Sequence, residues 1–253
     1  CIEPKDFTED KRNKTLGRII SENWDGIIIA CSCFDRIPLS RKFYIDELRA
    51  EKETLLGIKQ KKKNVTPKFK KRLEKINGEL GNLAVSDDPA RRFICFDDLG
   101  IDRLFVDEAH NYKNISIDTS IFGIFGINSK GSAKCDSMLN KVHHVQKTHC
   151  GGGVVMATGT PITNSVSDIF VFQQYLQSGE LELLGLQTFD SWVGMFAEKT
   201  TEFEIAVDTN SYRLATRFSR FHNIPELTNI LASIADFHSI DSGKGIPVFK
   251  GYT

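Results

Sequence analysis

Leu104-Phe105-Val106-Asp107-Glu108-Ala109-His110-Asn111-Tyr112-Lys113-Asn114 is an apolar run that ends in two adjacent carboxylates. A strand of a parallel sheet reads this way when it is buried along its length and its carboxyl end must hold a metal and a water beside a phosphate chain. The remaining segments are placed relative to that edge.

Upstream, Leu16, Ile19 and Ile20 at helical spacing suggest a short amphipathic helix that stops near Trp24-Asp25-Gly26. Gly26 to Cys31 is a short β-branched apolar run, expected as a strand buried on both faces. The loop Ser32 to Ser40 should then lie at the sheet's carboxyl edge. Downstream, a helix is expected over about Ala133 to Thr148, broken by Gly151-Gly152-Gly153. Val154 to Ala157 reads as another strand, ending in Thr158-Gly159-Thr160-Pro161-Ile162-Thr163-Asn164. Ser167 to Leu176 reads as a helix with Ile169, Phe170, Phe172 and Leu176 on its core face. Repeated strand, loop and helix units argue for an α/β protein with a parallel sheet. The last eighty or so residues are less periodic and are expected to be a helical extension over 181–253, with helices around Phe189 to Phe196 and from about Asn223.

Between Arg41 and Leu83 the pattern changes. Phe69, Leu73, Ile76, Leu80 and Leu83 recur in steps of four and three, and Leu48 and Leu55 continue a weaker seam upstream. Thr66-Pro67 supplies a helix start, so an antiparallel helical hairpin is expected over 41–84, inserted between 1–40 and 85–180. Its tip carries Lys59, Lys61, Lys62, Lys63, Lys68, Lys70, Lys71 and Arg72, with no acid between Glu53 and Glu74. Such a run is either a solvated tip or a contact for nucleic-acid phosphates.

The bulk numbers limit what else the chain can be. At 253 residues and 40% hydrophobic content it can bury one substantial core. Its 33 basic and 33 acidic residues cancel, so no global field draws it to nucleic acid or membrane. Six cysteines in no disulfide-dense pattern read as reduced thiols of a cytoplasmic protein. Cys31-x-Cys33, and His143, His144, His149 with Cys150, lack the spacing of zinc ligands and are expected in structural or surface roles. The aromatics Phe189, Trp192, Phe196, Phe218 and Phe221 could stack on bases, but helical spacing favours core packing. No apolar run reaches a membrane span, and the chain opens on Cys1 in a polar lead, which suggests a piece of a longer polypeptide.

Nucleotide hydrolysis on a sheet edge needs Mg²⁺ near the β and γ phosphates and a group that orients or deprotonates the attacking water. Asp107 is placed for the metal and Glu108 for the water. Asp107-Glu108-Ala109-His110 followed by Tyr112-Lys113-Asn114 resembles motif II of superfamily 2 helicases, in the form typical of Swi/Snf-type translocases. Thr158-Gly159-Thr160-Pro161-Ile162-x-Asn164-Ser165 resembles their motif III. Cys33 to Ser40, Leu99-Gly100-Ile101-Asp102, Tyr175-Leu176-Gln177 and Arg217 to Leu227 are similar to the helicase-like region of large helicase and DNA-methylase fusion proteins of phages and conjugative elements.

The resemblance implies a partial first RecA-like (P-loop NTPase) lobe, with ATP held between it and a second lobe and DNA, duplex by preference, running across their tops. It implies that His110 links the nucleotide site to Thr158, Gly159 and Thr160. Ser32, Lys113 and Asn164, with Lys61, Lys62 and Lys63 of the basic tip, become candidates for the nucleic-acid face. The implied cofactors are Mg²⁺ and ATP. The implied partners, besides DNA, are the rest of a parent chain: a phosphate loop, a second RecA-like lobe and a methylase domain.

One departure matters. A glycine-rich loop ending in Lys-Ser or Lys-Thr is missing: Gly126-x-x-x-x-Gly131-Ser132 lacks the lysine, and Gly151-Gly152-Gly153 precedes a strand rather than a helix. These residues alone are therefore expected to bind ATP poorly and not to hydrolyse it. The rival expectation is a non-catalytic nucleic-acid or protein binding module that works through the basic hairpin.

Overall fold

The computed structural model describes residues 1–61, 67–85, 94–121, 130–162, 167–205 and 212–237. The chain divides into two units, Cys1–Ile115 with Gly131–Gly159, and Ser116–Lys130 with Thr160–Thr253. Among the described residues no helix is long and apolar enough to cross a membrane.

In the first unit, α1 (Glu9–Ser21) is an amphipathic helix with Leu16 fully buried. The short α2 (Cys31–Phe34) follows, then α3 (Arg41–Lys61) and α4 (Pro67–Val85). Ser40 starts α3: its hydroxyl accepts from Phe43 N at 3.1 Å, an N-cap bond that satisfies an otherwise orphaned amide. Along the expected seam of α4, Ile76 is fully buried, and Arg72 forms a two-pronged ion pair with Glu51 of α3, both contacts at 2.6 Å. The turn between these helices, with Lys62 and Lys63, lies outside the described residues.

Strand β1 (Leu104–Val106) pairs in parallel with β2 (Val154–Met156), and α5 (Ala133–Thr148) runs between them in sequence. This strand, helix, strand order is what a parallel pair requires, because the chain must cross back before it can pair again. α5 buries Cys135, Met138, Lys141, Val142 and Val145, one stripe at steps of three and four. The turn into β2 is glycine by necessity. Gly153 has φ 92, and a Cβ there would lie 3.0 Å from both Asp102 O and Val145 Cγ1. Phe105 and Val155 are register partners with 74% and 53% of their surface exposed, so one face of this sheet is open among the described residues.

The expectation of a strand over 26–31 is corrected. Only Ile29 pairs, in a single parallel bridge with Ile2, while Ile28 is 73% exposed and helix α2 already begins at Cys31. A buried parallel strand needs neighbours on its edges and cover on both faces. Among the described residues this run has one neighbour, at Ile2, and only partial cover.

The second unit contains α6 (Ser167–Leu176), α7 (Ser178–Leu183) and α8 (Phe189–Phe196). The chain then forms the antiparallel pair β3 (Ala197–Ile205) and β4 (Tyr212–Phe221), and ends its described part with α9 (Ile224–Ala232). The helical reading of 181–253 is therefore corrected at 197–205 and 212–221. Phe218 and Phe221 lie on β4, opposite Lys199 and Ala197 and on either side of a register shift, so they belong to a strand and not to a helix face. Residues 238–253 fall outside the description. Phe189, Trp192 and Phe196 do share one helical face: Trp192 meets Phe196 at 5.4 Å and Phe170 at 5.8 Å between ring centres, and Phe218 meets Phe189 at 6.1 Å. Core packing is the role of all four.

A chain of amides crosses this core. Trp192 Nε1 donates to Gln173 Oε1 at 2.7 Å, Gln173 Nε2 to Gln177 Oε1 at 3.1 Å, and Gln177 Nε2 to Ile230 O at 2.7 Å. Gln173 and Trp192 have no exposed surface, so every lost partner there leaves a dry polar atom. Trp192→Phe is expected to lower the unfolding free energy by about 2–4 kcal/mol, from the cavity and the orphaned Gln173 oxygen. Urea denaturation measures it; a loss below about 1 kcal/mol contradicts this placement of the indole.

Candidate functional site

Val106 O accepts from Ala157 N at 2.8 Å, and Ala157 O accepts from Ala109 N at 2.9 Å. The two strands therefore stay paired past their last regular residues, and the segment after β1 is fastened to the segment after β2. Asp107 and Glu108 emerge at that edge with exposed side chains. Asp107 Oδ1 accepts from Glu108 N at 2.9 Å, which fixes the carboxylate against its own backbone.

Glu108 has φ 52 and ψ 44, a left-handed conformation that costs a residue with a Cβ about 1–2 kcal/mol. The turn holds it there. Glu108 O accepts from Asn111 N at 3.0 Å and from Asn111 Nδ2 at 3.1 Å, and Ala109–Tyr112 form a short 3-10 helix. Strain of this kind concentrates at sites where a side chain must be aimed, and here it aims a carboxylate.

His110 Nδ1 lies 3.2 Å from Glu108 Oε2 and 3.3 Å from Thr158 Oγ1. Nδ1 is thus hydrogen-bonded to the Thr158 hydroxyl, which can donate or accept, and has the Glu108 carboxylate beside it. The structure thus brings together Asp107, Glu108, His110 and Thr158 at the carboxyl end of a parallel strand pair, with exposed Gly159 following Thr158. Thr160 belongs to the other unit and is exposed. Ser32 is exposed on α2, and Lys113 is half-buried just after the 3-10 turn. Of the remaining candidates, the side chain of Lys61 and all of Lys62, Lys63 and Asn164 lie outside the described residues.

Behind this edge is a polar cluster that periodicity does not announce. Tyr112 donates from its hydroxyl to Asp35 Oδ1 at 2.9 Å, and Lys134 Nζ lies 3.5 Å from Asp35 Oδ2 and 4.6 Å from the centre of the Tyr112 ring. Burial first, then the Asp35 carboxylate, pushes the Tyr112 phenol far above its ordinary range, so it stays a donor. The loop from Cys31 to Ser40 is pinned along its length. Arg36 Nε donates to Ser32 O at 3.0 Å, Phe96 N to Pro38 O at 2.8 Å, and Ser40 N to Asp97 Oδ1 at 2.7 Å.

Lys141 is the second surprise. It is 1% exposed, its ammonium donates to Phe34 O at 3.0 Å, and it lies 4.4 Å from the centre of the Phe34 ring. Burial pulls its pKa down to about 8, with the charge of Asp35 acting the other way. The only sequence signal was its place within the apolar stripe of α5, where a lysine is out of pattern.

The histidines do not gather into a metal centre. His144 packs edge-on against Phe43 and Phe96, and among the described residues no group of three His, Cys, Asp or Glu could hold a metal ion. Cys33 and Cys135 are buried free thiols, while Cys1, Cys31 and Cys150 are exposed ones. For the acid pair the chemistry of the donors is clear. Two hard carboxylates at a strand end suit a divalent cation such as Mg²⁺ that keeps some of its waters.

An α/β unit with a parallel strand pair carrying an Asp-Glu-Ala-His edge defines the class to which this site belongs. A family model described as "Probable helicase domain" matches residues 2–239, and the chain belongs to that family. Comparison with curated proteins and with solved structures produced no match.

Lys141 makes a stability test. Below about pH 8 its ammonium is charged in folded and unfolded chains alike, and folding carries the full cost of burying it. Between about 8 and the ordinary value of 10.5 the unfolded chain holds a proton that the folded chain has lost, so stability rises with pH and then levels. Lys141→Met leaves Phe34 O bonded to Ile37 N at 3.1 Å. The substitution is expected to stabilise the chain by about 1–3 kcal/mol at pH 7 and to remove this alkaline rise. Thermal unfolding across pH 7–11 measures both; destabilisation at pH 7 would show that the contacts of the ammonium outweigh the cost of burying it.

Proposed function

We propose that the chain is part of the first RecA-like lobe of an ATP-dependent DNA translocase or helicase of Swi/Snf-like type, related to the helicase-like region of helicase and DNA-methylase fusion proteins of mobile elements. The observation that carries this reading is the strand-end group: Asp107 and strained Glu108 beside His110, whose Nδ1 is hydrogen-bonded to Thr158 Oγ1. Membership of a helicase-domain family supports it. So does the face that Phe105 and Val155 leave open among the described residues, because the sheet of such a lobe carries cover on both sides.

In this reading bound Mg²⁺ and ATP supply the electrophilic phosphorus and the leaving group. Asp107 holds the cation's waters, and Glu108 orients and deprotonates the attacking water. His110 exchanges its proton contact between Glu108 and Thr158 as charge at the site changes, which passes the state of the nucleotide to the Thr158-Gly159-Thr160 segment. Ser32, Lys113, Asn164 and the lysines at 61–63 meet the DNA backbone, positioning it without reading sequence. The phosphate-gripping loop and the second lobe are supplied by residues other than these 253.

The test is single-turnover hydrolysis by the complete polypeptide. Glu108→Gln should retain ATP binding and lose about a hundredfold or more in turnover, the usual share of a general base. Unchanged turnover would remove Glu108 from the chemistry and this reading with it.

A further inference from the structure

Asp35 joins three parts of the first unit. It caps the end of α2, its Oδ1 accepts from the Tyr112 hydroxyl at 2.9 Å, and its Oδ2 faces Lys134 of α5 at 3.5 Å. Lys134 also sits 4.6 Å above the Tyr112 ring, so the three side chains close a triangle. Tyr112 is 1% exposed and the Asp35 side chain 20%, which makes this a sheltered, charge-assisted contact rather than a surface pair.

What the triangle connects gives it meaning. Tyr112 ends the 3-10 turn that follows Glu108, and Asn111, its neighbour, makes both bonds that hold the Glu108 carbonyl. Asp35 lies in the loop that begins with exposed Ser32, and that loop is tied down on its other side at Pro38 and Ser40. Through Asp35 and Tyr112, a displacement at the Ser32 end has a direct side-chain route to the turn that follows the strained residue at the acid edge. Asp35 itself is unsuited to meeting phosphate: it is negative and both of its oxygens are engaged.

We infer that Asp35 and Tyr112 are a positioning pair through which nucleic-acid phosphate bound at the Cys31–Ser40 loop adjusts the aim of Glu108. The inference rests on the reading given under Proposed function. Neither residue touches the reacting atoms. Their bond ties the loop to the end of the turn that Asn111 holds, and its effect is to make turnover responsive to DNA.

The experiment measures ATP turnover by the complete polypeptide with and without duplex DNA, and DNA affinity by titration. Tyr112→Phe keeps the buried ring and removes only the hydroxyl. It should leave DNA-free turnover within about twofold and DNA affinity unchanged, while stimulation by DNA falls about tenfold or more. Asp35→Asn retains an acceptor for Tyr112 and should keep most of the stimulation; Asp35→Ala should lose it as Tyr112→Phe does.

Undiminished stimulation in Tyr112→Phe overturns the inference, as does a parallel fall of DNA-free and DNA-stimulated turnover, which marks a structural tie only. Wild-type turnover that ignores DNA overturns it too. Glu108→Gln in the same assay separates the two levels. Full turnover there defeats the hydrolytic reading itself, whereas loss of turnover there with intact stimulation in Tyr112→Phe defeats only the positioning pair.

Discussion

Two backbone hydrogen bonds carry the organisation of the acid edge: Ala157 N to Val106 O and Ala109 N to Ala157 O. They are the last rungs of a short parallel ladder, and they hold the segments after β1 and β2 side by side. Because of them, residues about fifty positions apart in the chain can meet in a hydrogen bond between His110 and Thr158. The carbonyl pinned by Asn111 keeps Glu108 in a conformation that L-residues avoid, so the aim of that carboxylate depends on the ladder and the turn together.

The second unit shows how polar residues can organise an apolar core. Tyr175, Gln177 and Asn223 act here as packing and capping residues. Gln177 links α6 and α7 to Ile230 of α9, and Asn223, left-handed at φ 47, donates to Met195 O at 2.9 Å. Asn tolerates that backbone region better than most residues, which accounts for its place before the Pro225 turn of α9. Asp190 does a similar task by accepting from Ser120 N at 2.9 Å and from the Thr119 and Ser120 hydroxyls.

The sequence was most informative where period and punctuation agreed. α5 spans Ala133–Thr148 as its polar helix was read, β1 and β2 fall on the two apolar runs, and Pro67 opens α4. It misled where an apolar run lacked neighbours. Gly26 to Cys31 has strand composition, but only Ile29 pairs, because pairing depends on the partner and not on the run. Within the stretch expected as a helical extension, Glu198, Glu202 and Glu204 alternating with Thr201, Phe203 and Ile205 carry a period of two, and this segment is a strand. At the site, the acid pair was legible because its residue types are few and adjacent. Asp35, Lys134 and Lys141 were not, since each meets its partner across a long separation in sequence that no local pattern encodes.

The hydrolytic account turns on whether Asp107 holds a divalent cation when nucleotide is present. Mn²⁺, substituted for Mg²⁺, reports this by electron paramagnetic resonance in the complete polypeptide with ATP. The account predicts a nucleotide-dependent Mn²⁺ site that Asp107→Asn weakens by about tenfold or more, the cost expected when a metal contact is disturbed. Equal Mn²⁺ affinity in Asp107→Asn and wild type would contradict it.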